Sequence, residues 1–221
     1  MLRPLDRAFY LRGAVAVARD LIGRTLVSTA DGATTAGLIV ETEAYAGRED
    51  AACHSFKRKG PSGGHRTDVM FGPGGYAYVY LIYGMYNCFN AVANVEGEPE
   101  AVLIRAIEPR EGLSAMRERR GTQDVKKLCS GPGRLCMALG ITRRDYGADL
   151  CGDALFIAEG EPVPDGRVLA TPRINVDYAG EAALLPYRFI VKDSVFLSAR
   201  GGKKREKNGT VHLDSGGMPE Q

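Results

Sequence analysis

The chain has 221 residues with 44% apolar and 25% charged side chains and a net charge of +2, the balance of a globular protein of one large domain. That excludes a disordered, collagen-like or coiled-coil chain, and no run reaches the ~20 apolar residues that cross a bilayer. The opening residues carry scattered charges and no apolar segment, so no cleaved leader is expected, and five cysteines without a CxxC pair suit a reducing cytoplasm. Residues 5–21 read as a helix that Asp6 can cap, with Phe9, Ala14, Val17, Ala18 and Leu21 near helical spacing and Gly23 as the stop. Residues 24–29 and 37–45 read as strands separated by Asp31-Gly32. Residues 47–75 are glycine-rich and lack periodicity, and a loop of that length in a compact domain is usually functional. Strand-like runs follow at 76–83 and 86–94, about a corner at Tyr83-Gly84-Met85, and a buried strand at 101–107. Helical runs are expected around 111–120 and 132–140, and further short strands over 150–198. From about Arg200 the composition is that of a disordered basic tail, which gives one domain over 1–199 and a tail over 200–221.

The net charge hides a polarised distribution. Segments 57–66, 117–134 and 200–207 hold fifteen of the 29 basic residues and only three of the 27 acidic ones. Such a distribution suits a polyanion such as nucleic acid, although charge runs also serve as plain solvated faces.

Five of the ten tyrosines (76, 78, 80, 83 and 86) fall within eleven residues. On a strand Tyr76, Tyr78 and Tyr80 share one face, where they form either a row of π surfaces that stack on bases or a core ladder. Tyr83 stands at the corner before Gly84, a place from which an aromatic ring can wedge between base pairs. Glu41 and Glu43 lie two apart at the end of an apolar strand and so on one face. Two carboxylates there need a cation, and Arg105, which interrupts the apolar run 101–107, is the candidate. One carboxylate could pair with Arg105 while the other activates water, or both could be structural, and spacing does not choose between them. Asn90 sits in an apolar strand, where it is either satisfied structurally or reads a ligand edge. His54 and Cys53 lie near the glutamates, but no second ligand pair stands at zinc spacing and no motif supports a thiol nucleophile. Gly72-Pro73-Gly74-Gly75 lacks the phosphate-loop pattern.

Taken together, the motifs resemble the alkyladenine (3-methyladenine) DNA glycosylase family. They are LeuIleGlyArgThrLeu at 21–26, ValGluThrGluAlaTyr at 40–45, AspAlaAlaCysHisSer at 50–55, MetPheGlyProGly at 70–74, TyrValTyrLeuIleTyrGlyMetTyr at 78–86, ValLeuIleArgAlaIleGluPro at 102–109 and LeuCysSerGlyProGlyArgLeuCys at 128–136. The resemblance implies a single α+β domain with a curved, largely antiparallel sheet and surrounding helices. It implies Glu43 as the base that activates water and Arg105 as the residue that helps hold it. Tyr45, His54 and Tyr80 would enclose the flipped purine, Asn90 would crowd the amino group of normal guanine, and Tyr83 would fill the vacated space. It further implies a monofunctional enzyme of base excision repair, without cofactor or metal, acting as a monomer on double-stranded DNA containing damaged purines. Loop 57–69 departs from the family's form. A non-catalytic nucleic-acid-binding module would account for the tyrosines and basic segments, but it gives no reason for Glu43 and Arg105 to share an apolar environment.

Overall fold

A computed structural model describes residues 2–198, so the tail expected at 200–221 lies outside the described residues. Strand β1 (Thr25–Ala30) turns through Asp31 and Gly32, at φ 52° and 74°, into β2 (Ala33–Tyr45). Two central residues with positive φ match the twist of a tight hairpin. A second hairpin joins β3 (Ala77–Ile82) to β4 (Tyr86–Ala93), and β5 (Glu100–Glu111) follows. The remaining strands are β6 (Leu155–Ala158), β7 (Val168–Thr171) and β8 (Arg188–Val191). They form one open sheet in the order β3-β4-β5-β2-β1-β6, with β8 beside the second half of β2 and β7 beside β8. Every strand pairing is antiparallel, so the architecture is single-domain α+β, as the resemblance implies.

Strand β2 organises the site. One edge pairs with β5, while the other pairs first with β1 and then, over Glu41–Glu43, with β8. Residues 35–44 are all buried as a result. The register with β5 slips twice near the glutamates: β2 carries an extra residue between Ile39 and Glu41, and β5 carries Arg105 as its extra residue between Ala106 and Ile104. Bulges of this kind re-aim a side chain. Gly37 permits the close approach of the two strands, because a Cβ there would lie 2.5 Å from the Glu108 carbonyl oxygen.

The helix expected over 5–21 is two pieces, α1 (Arg7–Tyr10) and α2 (Ala14–Asp20), broken before Gly13. Tertiary partners satisfy the broken ends. The Asn94 amide donates to the carbonyls of Tyr10 and Arg12, and the Glu100 carboxylate accepts from the Ala14 amide at 2.6 Å. Asp6 makes no side-chain cap bond. Thr42 donates to the Ala18 carbonyl at 2.8 Å, which sets α2 on the sheet face opposite Glu41 and Glu43. Helices α3 (Leu113–Arg120), α4 (Val125–Leu128) and α5 (Pro132–Leu139) follow β5. Pro132 opens α5, and Gly140 at φ 70° closes it. The segment expected to be all strands also contains a 3-10 run, Asp177–Leu184, kinked at Gly180. The main core gathers Leu21, Ile39, Phe89, Ile104 and Leu135.

Candidate active site

Alternation along β2 brings Glu41 and Glu43 to one face, both fully buried, and the bulge aims Arg105 between them. Arg105 Nε donates to Glu41 Oε1 at 3.0 Å and Arg105 Nη1 to Glu43 Oε2 at 3.0 Å. Burial alone would lower the arginine's pKa, but the charges of Glu43 and Glu41 outweigh it and hold the pKa above its ordinary value. The two carboxylates differ in what remains free. Glu41 accepts four hydrogen bonds, from Arg105 Nε, Arg188 Nε at 2.8 Å, and the Ser198 amide and hydroxyl at 2.6 and 2.8 Å. Three of these fall on Oε1 and one on Oε2. Glu43 accepts from Arg105, from the Tyr45 hydroxyl at 3.0 Å, and on Oε1 from the Ile174 amide at 2.7 Å, which leaves acceptor capacity on Oε1. Spacing could not rank the two glutamates; in the fold Glu43 accepts one hydrogen bond fewer than Glu41.

A cleft of about 1130 Å³ adjoins this cluster. Tyr45, His54, Tyr80, Tyr83, Asn90 and Arg105 all line it. Glu43 itself lies one side chain behind the wall, covered by Tyr45, Arg105 and Ile174. Burial and the neighbouring Glu43 push the Tyr45 hydroxyl well above its usual pKa, so it stays protonated and donates. The Arg173 guanidinium lies 5.0 Å from the centre of the Tyr45 ring and pairs with Asp50 at 2.5 and 2.9 Å, both side chains being buried. That pair ties the segment bearing Ile174 to the loop bearing His54.

The tyrosine row divides its work. Tyr78 is buried in a satellite cluster with Cys53, Met70, Val92 and Ala101, and its hydroxyl meets His54 Nδ1 at 2.8 Å. Tyr80 reaches the cleft, its ring centre 4.7 Å from that of His54 and edge-on to it. Burial, reinforced by Arg66 and His65, lowers the His54 pKa to about 4, so the ring is neutral at neutral pH. Asn90 is buried and donates from Nδ2 to the Tyr78 carbonyl at 2.9 Å. Tyr83 is 77% exposed at φ 53°, at the tip of the β3–β4 hairpin, with Met85 exposed beside it. Burial pushes the Cys53 thiol up, which disfavours the thiolate. Among the described residues no group of three His, Cys, Asp or Glu side chains is placed to hold a metal.

Several members of the site carry no sequence signal. Arg188, Ile174 and Ser198 come from the last quarter of the chain and reach the glutamates only through the pairing of β8 with β2 and the turns around it. Tyr178, on the kinked 3-10 run, lines the cleft and donates to the Ala52 carbonyl at 3.3 Å. Ser130 to Arg134 at the start of α5 and Arg120 also line the cleft, with Ser130 bridged to Ala106 beside Arg105.

The comparisons with known proteins give the class of this antiparallel α+β domain, a DNA N-glycosylase, a hydrolase of N-glycosyl bonds. Residues 8–195 match the family described as Methylpurine-DNA glycosylase (MPG), and the chain belongs to that family. It is similar to proteins that bear the inferred name 3-methyladenine DNA glycosylase. The protein from Myxococcus xanthus (strain DK1622) is 50% identical over 194 residues, covering 88% of this chain and 93% of its own. That from Methanocella arvoryzae (strain DSM 22066 / NBRC 105507 / MRE50) is 50% identical over 198 residues, with 89% and 96% covered. That from Alkaliphilus oremlandii (strain OhILAs) is 44% identical over 204 residues, with 89% and 99% covered.

Proposed function

We propose that the chain flips damaged purines, alkylated or deaminated, out of double-stranded DNA and hydrolyses their N-glycosidic bond with water activated by Glu43. It acts as a cytoplasmic, monofunctional monomer without cofactor, its catalytic domain spanning 1–199. The relatives' names support 3-methyladenine as one substrate. A base stacked in a duplex is out of reach, so it must leave the stack at a cost of a few kcal/mol. Tyr83, exposed at its hairpin tip, would offset part of that cost by filling the gap. Tyr45, His54 and Tyr80 would enclose the extruded purine, and Asn90 would press against the exocyclic group of normal guanine.

At the sugar, the oxygen of water bonds to C1′ as the C1′–N9 bond breaks. The electron pair of that bond leaves with the base: it neutralises the positive charge of an N3- or N7-alkylated purine, whereas a deaminated purine, neutral at the start, leaves as its anion and takes a proton from solvent. The proton of water passes to Glu43, with Arg105 orienting the attacking oxygen. The carboxylate also stabilises the oxocarbenium-like transition state. Among the described residues no lysine lines the cleft, which supports hydrolysis over a Schiff-base route with strand cleavage.

The single observation that carries this reading is that every hydrogen-bond partner of Glu43 (Arg105, Tyr45 and Ile174) lines the cleft, while Glu41 is tied from behind by Arg188. Replacing Glu43 with Gln keeps the shape and removes the base. In single-turnover assays on 3-methyladenine DNA, Glu43→Gln is expected to lower release by at least ~100-fold, the lower bound for a lost general base, while lesion-DNA affinity stays within about threefold. Release at the wild-type rate would show that Glu43 serves only as an ion-pair partner.

A further inference from the structure

Arg105 is the cationic wall between the cleft and Glu43, and a guanidinium works there only if its plane is fixed. Glu41 and Glu43 hold it through Nε and Nη1, and neither carboxylate bonds Nη2. The Ser198 hydroxyl faces that edge. It accepts from Arg105 Nε at 3.3 Å and Nη2 at 3.2 Å, and donates to Glu41 Oε1 at 2.8 Å. The Ser198 amide donates to Glu41 Oε2 at 2.6 Å, which anchors the residue independently of its side chain. Glu41 in turn is held from the other side by Arg188 on β8. Ser198 lines the cleft, on the segment that follows β8.

We propose that Ser198 is a positioning residue that sets the plane of Arg105 through a shared hydrogen-bond network with Glu41. The role rests on the reading that Glu43 and Arg105 handle the attacking water. Ser198 touches neither water nor nucleotide in this scheme. It holds the guanidinium so that Nη1 stays on Glu43. Because its amide bond to Glu41 survives side-chain replacement, the segment stays docked when the hydroxyl is removed.

The test compares wild type, Ser198→Ala and Ser198→Thr on duplex DNA with one 3-methyladenine. Single-turnover release in Ser198→Ala is expected to fall about tenfold, the size of one hydrogen bond to a charged group, with lesion-DNA Kd and Tm near wild type. Ser198→Thr keeps a hydroxyl and is expected to recover most of the rate. Proton exchange at Arg105 Nε, followed by NMR in the DNA-free protein, is expected to speed several-fold in Ser198→Ala alone, a change that a merely structural residue would not produce without a fall in Tm. Active wild type with Ser198→Ala within twofold of it would overturn the positioning role and leave the function intact. So would a loss of rate matched by an equal loss of affinity. Wild type that releases no base would overturn the functional reading, and this role with it.

Discussion

At the scale of single residues, the site is a balanced burial of charge: two glutamates and two arginines share one pocket, and breaking such a set by removing one member costs about 3–5 kcal/mol. His54 achieves neutrality differently, by staying unprotonated. In the unfolded chain it titrates near 6.5, and in the fold near 4, because burial and the Arg66 and His65 neighbours oppose its charge. The unfolded state therefore binds the extra proton first, and the stability that a neutral His54 allows is present above pH 6.5 and is lost between about 6.5 and 4. Thermal unfolding of wild type and His54→Asn should accordingly converge as pH falls through that window, and a constant gap would contradict it. The neutral ring should also leave no titration step near 6.5 in the excision rate. Much of this level was legible in the sequence. Period-2 spacing put Glu41 and Glu43 together, and an arginine inside an apolar run named their partner. Arg188, Ile174 and Ser198 were not legible, because each reaches the site from a distant segment with no periodic pattern around it.

At the scale of elements, the β3–β4 hairpin presents its wedge through backbone geometry. Met85 N donates to the Ile82 carbonyl at 3.2 Å, closing a turn with Tyr83 and Gly84 at φ 53° and 70°. A tyrosine in that conformation costs of order 1 kcal/mol, and strain of this kind gathers at functional tips. Tyr83→Gly removes the strain but adds glycine entropy of about the same size, so stability should stay within about 1 kcal/mol of wild type. Flipping should weaken sharply, seen as a lost fluorescence change from 2-aminopurine next to the lesion. An unaltered signal would rule out the wedge. Alternation and the glycine corner made this hairpin readable in advance. The break in the first helix was not readable, since its ends are satisfied by Asn94 and Glu100, each more than eighty residues from the groups it bonds.

At the scale of the whole molecule, the basic segments found in the sequence are only partly available to a polyanion. Arg58 holds the loop at 60–68 together, and Arg119 donates to the carbonyls of Ala30 and Ala138. Arg66, Arg120 and Arg134 line the cleft, although Arg120 also donates to the Leu128 carbonyl at 3.0 Å and Arg134 to the Ser130 carbonyl at 3.3 Å. Charge counting located the segments, but it could not tell which cations the fold uses internally. Affinity for undamaged duplex should fall steeply with salt, and Arg134→Ala should lower the slope of log K against log salt by about 1. An unchanged slope would place Arg134 away from the phosphates. Strand β2, bonded along both edges where the glutamates sit, carries one more consequence. The chemical centre thus sits where opening the backbone would have to break two ladders at once, so fluctuations that displace the glutamates belong with the more costly openings of the fold.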